Sequence, residues 1–434
     1  DNLVEFEATQ VGFDSQDTAK TINIQFSRAA DAASELVIGV NATGFESPDM
    51  FATSPGIANG KITIAVAPGQ TNASVNISKG NDIFLTGAEL IVFTILQPGN
   101  ALVVGARDTL ILHFSSIVSQ GSTMTLQGGA GEASAINSVF VNFRRNMQTQ
   151  ARRDSWDLAF YTGNEFRAIL NYASVATARG IVKFDLLQVG AQDTIGMSLA
   201  ISTADPTTVA LFDDVSGDLN KTVFGNISAL PSENRVFIVN RGTGGGIAAR
   251  PWKKIRILQN GNGYTLQHAN ITDNTFQSIN IGKDDDYNFI FFCFDRGVVQ
   301  IEPKKDNWDI VWTGGVNITT AAGGVVPHYF ADQVLINHHG NVSVAQVMTA
   351  NIAWANINAT HLATLQFSSD RNIIGSGWRS TRGTIGVHTD RFYVVKDAFG
   401  NYYKLRFLNF HSSDGGVRGF PNIEYLLIQK GGAS

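Results

Sequence analysis

Through residues 1 to about 115, apolar and polar side chains alternate in short runs. Examples are Lys20-Thr21-Ile22-Asn23-Ile24-Gln25-Phe26, Glu35-Leu36-Val37-Ile38-Gly39-Val40 and Lys61-Ile62-Thr63-Ile64-Ala65-Val66. A period of two sends successive side chains to opposite faces, so each run predicts a strand with one buried and one wet face. Turn formers separate the runs, among them Ala67-Pro68-Gly69-Gln70 and Gln97-Pro98-Gly99-Asn100. Short strands at this spacing predict a β-sandwich over residues 1–115. Ser115 to Gln120 reads as a linker, and Met124-Thr125-Leu126-Gln127 as the first strand of a second body spanning 122–434.

Strands predominate in that body as well, giving an all-β, largely antiparallel chain. Lys254-Ile255-Arg256-Ile257-Leu258 and Tyr264-Thr265-Leu266-Gln267-His268 flank Asn260-Gly261-Asn262-Gly263, a strong hairpin signal. A second hairpin is predicted from Phe392-Tyr393-Val394-Val395-Lys396 and Tyr402-Tyr403-Lys404-Leu405-Arg406-Phe407 about Phe399-Gly400-Asn401. Helices are predicted at two places alone, Asp205–Leu211 and Ser343–Ala355.

The second body contains an internal echo. Arg152-Arg153-Asp154-Ser155-Trp156-Asp157-Leu158-Ala159-Phe160 recurs as Lys304-Lys305-Asp306-Asn307-Trp308-Asp309-Ile310-Val311-Trp312. The apolar strands Val139–Phe143 and Ile290–Phe294 precede the two copies at nearly the same distance. Two copies of a strand, turn, strand unit are therefore expected, with each Trp-Asp pair anchoring a strand end through its indole and capping amides through its carboxylate.

Composition narrows the function classes. With Lys+Arg 32 against Asp+Glu 37, the net charge of −5 and the lack of a basic cluster argue against a nucleic-acid partner. A surface rich in Asn, Thr and Ser but only 16% charged suits long sheets in an extracytoplasmic setting. Cys293 is the single cysteine, inside an apolar run, which excludes an intramolecular disulfide and reads as a buried thiol. No run of 18 apolar residues marks a transmembrane segment. The polar, acidic start at Asp1 is that expected of a mature or trimmed form. There is no His-Glu-x-x-His, no Gly-x-Ser-x-Gly and no dinucleotide fingerprint, and Gly128-Gly129-Ala130-Gly131 lacks the Gly-Lys-Ser/Thr of a phosphate cradle. A non-enzymatic protein is expected.

Two resemblances add to this reading. The first body, with its Pro68-Gly69-Gln70 turn, Ala73–Ser78, Gly80-Asn81-Asp82 and Glu89-Leu90-Ile91-Val92-Phe93, resembles the Calx-β-like sandwiches. Calcium-binding members carry paired acids here, but Asp82 and Glu89 alone supply too few oxygens, so a structural spacer is expected. The second body, over roughly 123–430, resembles the long members of the HmuY-like haem-binding surface lipoproteins. The resemblance is carried by Ser155–Tyr161 with Phe166–Asn171, Trp252–Leu258, Asn307-Trp308-Asp309, Ile374–Arg379, Phe392–Asp397 and Gly400–Phe407. It implies haem or a related tetrapyrrole as ligand, lipid anchoring to the outer membrane at the cell surface, and delivery to an outer-membrane transport receptor. In the best-known short members two loop histidines clamp the iron, one of them a few residues after a Gly-Gly-Trp segment. The matching stretch here, Gly377-Trp378-Arg379-Ser380-Thr381-Arg382-Gly383, holds no histidine, and His388 comes at the start of the next strand.

Haem iron takes His, Met, Cys or Tyr axially, so the candidates between the second Trp-Asp pair and Trp378 are His328, His338, His339, Met348 and His361. Neighbours on a strand face opposite ways, so one of His338 and His339 at most is expected in a given pocket unless a turn redirects them. His113, His268 and His411 read as surface or satisfied structural side chains, and the acids Asp213, Asp214, Asp218 and Asp284–Asp286 as water-facing loops. The alternative to haem capture is an adhesion, assembly or glycan-binding module on the same scaffold.

Overall fold

The computed structural model describes residues 1–81, 83–321 and 324–432. Residues 1–119 and 120–431 form two compact units. The first is a sandwich of two five-stranded sheets, in the orders 51–54, 72–79, 19–26, 2–6, 102–104 and 10–13, 109–114, 90–97, 34–43, 61–66. Its alternating apolar residues, including Ile22, Ile24, Ile62, Ile64, Val75 and Ile77, make one core. Glu89 is buried and spends its carboxylate on the Thr86 and Gly87 amides at 2.9 and 2.8 Å and on the Thr86 hydroxyl. That use of its oxygens fits a structural turn. Asp82 lies outside the described residues.

The second unit is antiparallel throughout its described ladders, and every helical segment described in it is a 3-10 turn. The predicted hairpins form, as Lys253–Asn260 with Gly263–Asn270 and as Arg391–Lys396 with Tyr402–Asn409. Pro206–Leu211 is a 3-10 turn capped by Asp205, close to its predicted helix. The helix predicted over Ser343–Ala355 is overturned, because Ser343–Met348 is a strand laddered to Arg391–Lys396. There, Val344 and Val347 gain more from cross-strand burial than their segment gains from local helix formation. Among the described residues no helix is long and apolar enough to cross a membrane.

The Trp-Asp echo is an exchange of strands. One four-stranded sheet runs 147–152, 137–142, 310–321, 324–336, and the other runs 297–299, 289–293, 158–161, 168–170. The hairpin before each copy therefore pairs with the strands after the other copy. Asp157 donates its amide to the Phe292 carbonyl and accepts the Phe294 amide at 2.8 Å, while Asp309 donates to Val141 and accepts from Phe143 at 2.7 Å. Trp156 meets Phe291 edge-on at 4.9 Å, and Trp308 meets Phe140 at 5.1 Å, inside one shared core.

A corner asparagine completes each copy. Asn171 Nδ2 donates to the Arg153 and Trp156 carbonyls, and Asn337 Nδ2 donates to those of Lys305 and Trp308. The two residues after each asparagine sit at an equivalent corner: Tyr172-Ala173 in the first copy, His338-His339 in the second.

Candidate functional site

His338 and His339 begin a 3-10 turn, His338–Gly340, whose N-cap is Asn337. The turn removes strand alternation, so both rings reach the same cleft, the one case that the expectation of a single histidine had excepted. Their centroids lie 3.8 Å apart at 40°, and His339 also packs on Tyr161 and Phe289 at 5.3 and 5.4 Å. The cleft has a volume of about 600 Å³ and carries Glu165, Asp218 and Asp370 on its walls.

Burial, then the Arg371 charge, pushes the His338 imidazole down to about 4. Burial, then His338 itself, pushes His339 down to about 3. Both are neutral near pH 7. His338 Nε2 stands 3.3 Å from the Gly217 backbone oxygen, and the neutral ring has one N–H to donate, there or to the Ile336 backbone oxygen.

Beneath this pair is a small cavity of about 30 Å³, room for one or two waters, lined by Tyr172, Asp213, Glu302, Trp308 and Arg371. Asp213 does not face water as its loop predicted. Its carboxylate turns inward to accept the Leu170 and Val223 amides at 2.7 and 2.8 Å, and burial raises it to about 6. Glu302 is 5% exposed, its Oε2 has no partner among the described residues, and burial raises it to about 8 against an ordinary 4.5.

The folded state thus holds the Glu302 proton where the unfolded chain has released it, and the stability this provides is lost as pH rises from about 4.5 through 8. Glu302→Gln keeps the shape without the ionisation. It should gain about 2–3 kcal/mol over the wild type between pH 5 and 9, after discounting for water entering the cavity. Denaturant melts across that range check this, and a constant difference between the two proteins would refute it.

The other candidates lie elsewhere. Met348 ends the Ser343–Met348 strand beside Gln346, and His361 sits in the Ala359–Thr364 turn, where its Nδ1 accepts the Asn358 amide at 3.2 Å. His388 comes directly after the two-residue strand Gly386–Val387 and donates its amide to the Trp378 carbonyl. His268 departs from its satisfied reading, since it is 4% exposed with Nε2 unpartnered among the described residues, and burial pushes it down to about 4.

His328, also a candidate from sequence, opens onto a different cleft, of about 670 Å³. One wall is the long hairpin of Ile310–Ala321 and Gly324–Ile336, and another is the 376–382 segment. His328 and Phe330, two apart on their strand, share a face, and their rings meet edge-on at 4.9 Å. The Arg379 guanidinium lies 5.8 Å from the centre of the Phe330 ring.

Trp378 anchors the segment that carries this arginine. It is 1% exposed, stacks on Phe407 at 4.3 Å and donates Nε1 to the Asp332 carbonyl at 3.2 Å. Arg379, Arg382 and Arg418 all line the cleft, and Asp332 is the ion-pair partner of Arg379 and Arg418. Arg418 grips Asp332 Oδ2 through Nε and Nη2 at 3.0 and 2.7 Å, while Arg379 Nη2 stands 3.9 Å from it. Burial lowers the Arg379 guanidinium and Asp332 supports it, and its Nε has no partner among the described residues. Among the described residues, no cluster of three or more His, Cys, Asp or Glu is placed to hold a bare metal ion.

Several solved structures align with parts of the chain. The apo Calx CBD1 domain aligns at 10% identity over 26% of this chain and 96% of its own, with a TM-score of 0.22. A two-domain protein of unknown function from Bacteroides fragilis aligns at 9% identity over 41% and 69%, with a TM-score of 0.21. The E. coli chaperone DraB aligns at 15% identity over 27% and 58%, with a TM-score of 0.19. No curated protein matches the chain. The profile of the HmuY protein matches residues 134–425, which take in the exchanged sheets, both clefts and the Trp378 segment, and the chain belongs to the HmuY family.

Proposed function

We propose that this is a non-enzymatic cell-surface binding protein that captures haem or a related tetrapyrrole in the cleft of His328, Arg379, Arg382 and Arg418. One observation carries the reading. The segment after Gly377-Trp378, where family resemblance expects a ligand contact, lines an open cleft of about 670 Å³ that pairs an aromatic wall with excess guanidinium charge. The donor set fits the group at its edge and on one face. The three arginines would hold the propionates, Phe330 would pack on the macrocycle, and His328 would be the axial ligand.

A two-histidine clamp on His338 and His339 does not fit. Rings whose centroids lie 3.8 Å apart leave no room for a macrocycle between them. The carboxylates of that cleft would also repel propionates. His328 would supply the imidazole that holds the iron; the protein's own part is to orient the ligand and neutralise its charge. Lipid anchoring outside the outer membrane and transfer to a transport receptor complete the proposal, in line with family membership.

Haemin titration of the intact chain tests it. A saturable, shifted Soret band is expected, its shift lost in His328→Ala with affinity falling by no more than about threefold, and unchanged by His338→Ala, His339→Ala, Met348→Ala or His361→Ala. If His339→Ala alone removes the band, the ligand lies in the acidic cleft. If no variant or wild type saturates, capture is wrong, and the adhesion, assembly or glycan-binding module takes its place.

A further inference from the structure

Resting on the capture reading, we propose that the arginine cleft selects a flat ring system by its two carboxylates and not by its metal, so that metal-free dicarboxylate porphyrins bind as well as haem.

The contribution available to iron is small. His328 offers one imidazole on one face, the 377–383 segment has none, and His338, His339, Met348 and His361 do not line this cleft. The contribution available to carboxylates is large. Three guanidiniums line the cleft; Asp332 pairs with two of them, Arg379 and Arg418, and the oxygen it uses is held by Arg418. Arg379 is 7% exposed, so water does not satisfy the Nε that lacks a partner among the described residues. Arg382 is exposed and has no ion pair among the described residues. A guanidinium fork binds a carboxylate through two parallel N–H donors, and Thr381 adds a hydroxyl on the same wall. Phe330 supplies the flat apolar contact, which any porphyrin face meets equally well.

Fluorescence and absorbance titrations of the whole chain decide the matter, with haemin, protoporphyrin IX and protoporphyrin IX dimethyl ester as probes. Haemin and the metal-free acid should bind within about threefold of each other, and the ester about tenfold or more weaker. Arg382→Ala should weaken both acids about tenfold and leave the ester unchanged; as an exposed side chain it leaves the fold intact. Binding of haemin without the metal-free acid overturns the inference but keeps haem capture. Equal binding of ester and acid overturns it too, because the carboxylates are then not read. Failure of every probe removes the capture reading itself.

Discussion

Asp157→Asn should destabilise the 120–431 unit by about 4 kcal/mol, while Asp309→Asn at the matching place in the second Trp-Asp copy should cost under about 1 kcal/mol. Both aspartates cap the amide that follows the first strand of the partner hairpin, and both are buried, at 0% and 4% exposed. Their other neighbours differ. Asp157 accepts Nε and Nη2 of Arg241 at 2.8 and 2.9 Å, with Arg250 3.6 Å away, and Arg241 is itself 2% exposed. Removing the carboxylate charge leaves that guanidinium buried with Asp295 as its remaining ion-pair partner, the costly way to break a buried pair. Asp309 has no such fork. Burial, then the nearby Asp397 carboxyl, pushes it well above the carboxylate range, so near neutral pH it is already an uncharged acceptor that asparagine imitates. Urea melts at pH 7 followed by tryptophan fluorescence compare the two. Equal losses would mean that the copies are electrostatically alike and that Arg241 does not set them apart.

This contrast marks where the sequence was legible. The period of two in residues 20–26 and 61–66 reports burial on one face, and burial there is set by the strand itself. The Asn260–Gly263 and Phe399–Asn401 turns are equally local, and so is the repeat. The exchange of hairpins between repeats is not local, because Val139–Val141 would alternate identically whether paired to its own copy or to Ile310–Trp312. Arg241 lies 84 residues from Asp157, and no spacing rule connects them. The candidate ligands suffered in the same way. His338 and His339 were visible as a pair, but their common orientation depends on the Asn337 corner. The arginine cleft gathers residues from the Ile310–Ala321 and Gly324–Ile336 strands, 376–382 and 418, and of these His328 alone was legible as an iron ligand. The signal that could have found it was Trp378-Arg379-Ser380-Thr381-Arg382: two cations within four residues of a buried indole, where the family places a histidine.

Trp378 should therefore couple stability to binding. Trp378→Ala is expected to cost about 4 kcal/mol, since it empties a fully buried indole site beside Phe407 and Phe410 and breaks the bond to the Asp332 carbonyl. The same bond holds the Trp378 segment to the strand that carries His328, Phe330 and Asp332, so its loss frees Arg379 and Arg382 from their place on the cleft wall. At a temperature where the variant is still folded by circular dichroism, porphyrin affinity should fall by more than about tenfold. Trp378→Phe separates the two roles: it keeps most of the aromatic packing, loses the indole N–H, and should cost about 1–2 kcal/mol in melts with a smaller loss of affinity. If the alanine variant, once shown to be folded, binds protoporphyrin IX as tightly as the wild type, the segment after Trp378 is not a wall of the site, and the ligand must be sought at the His338–His339 corner.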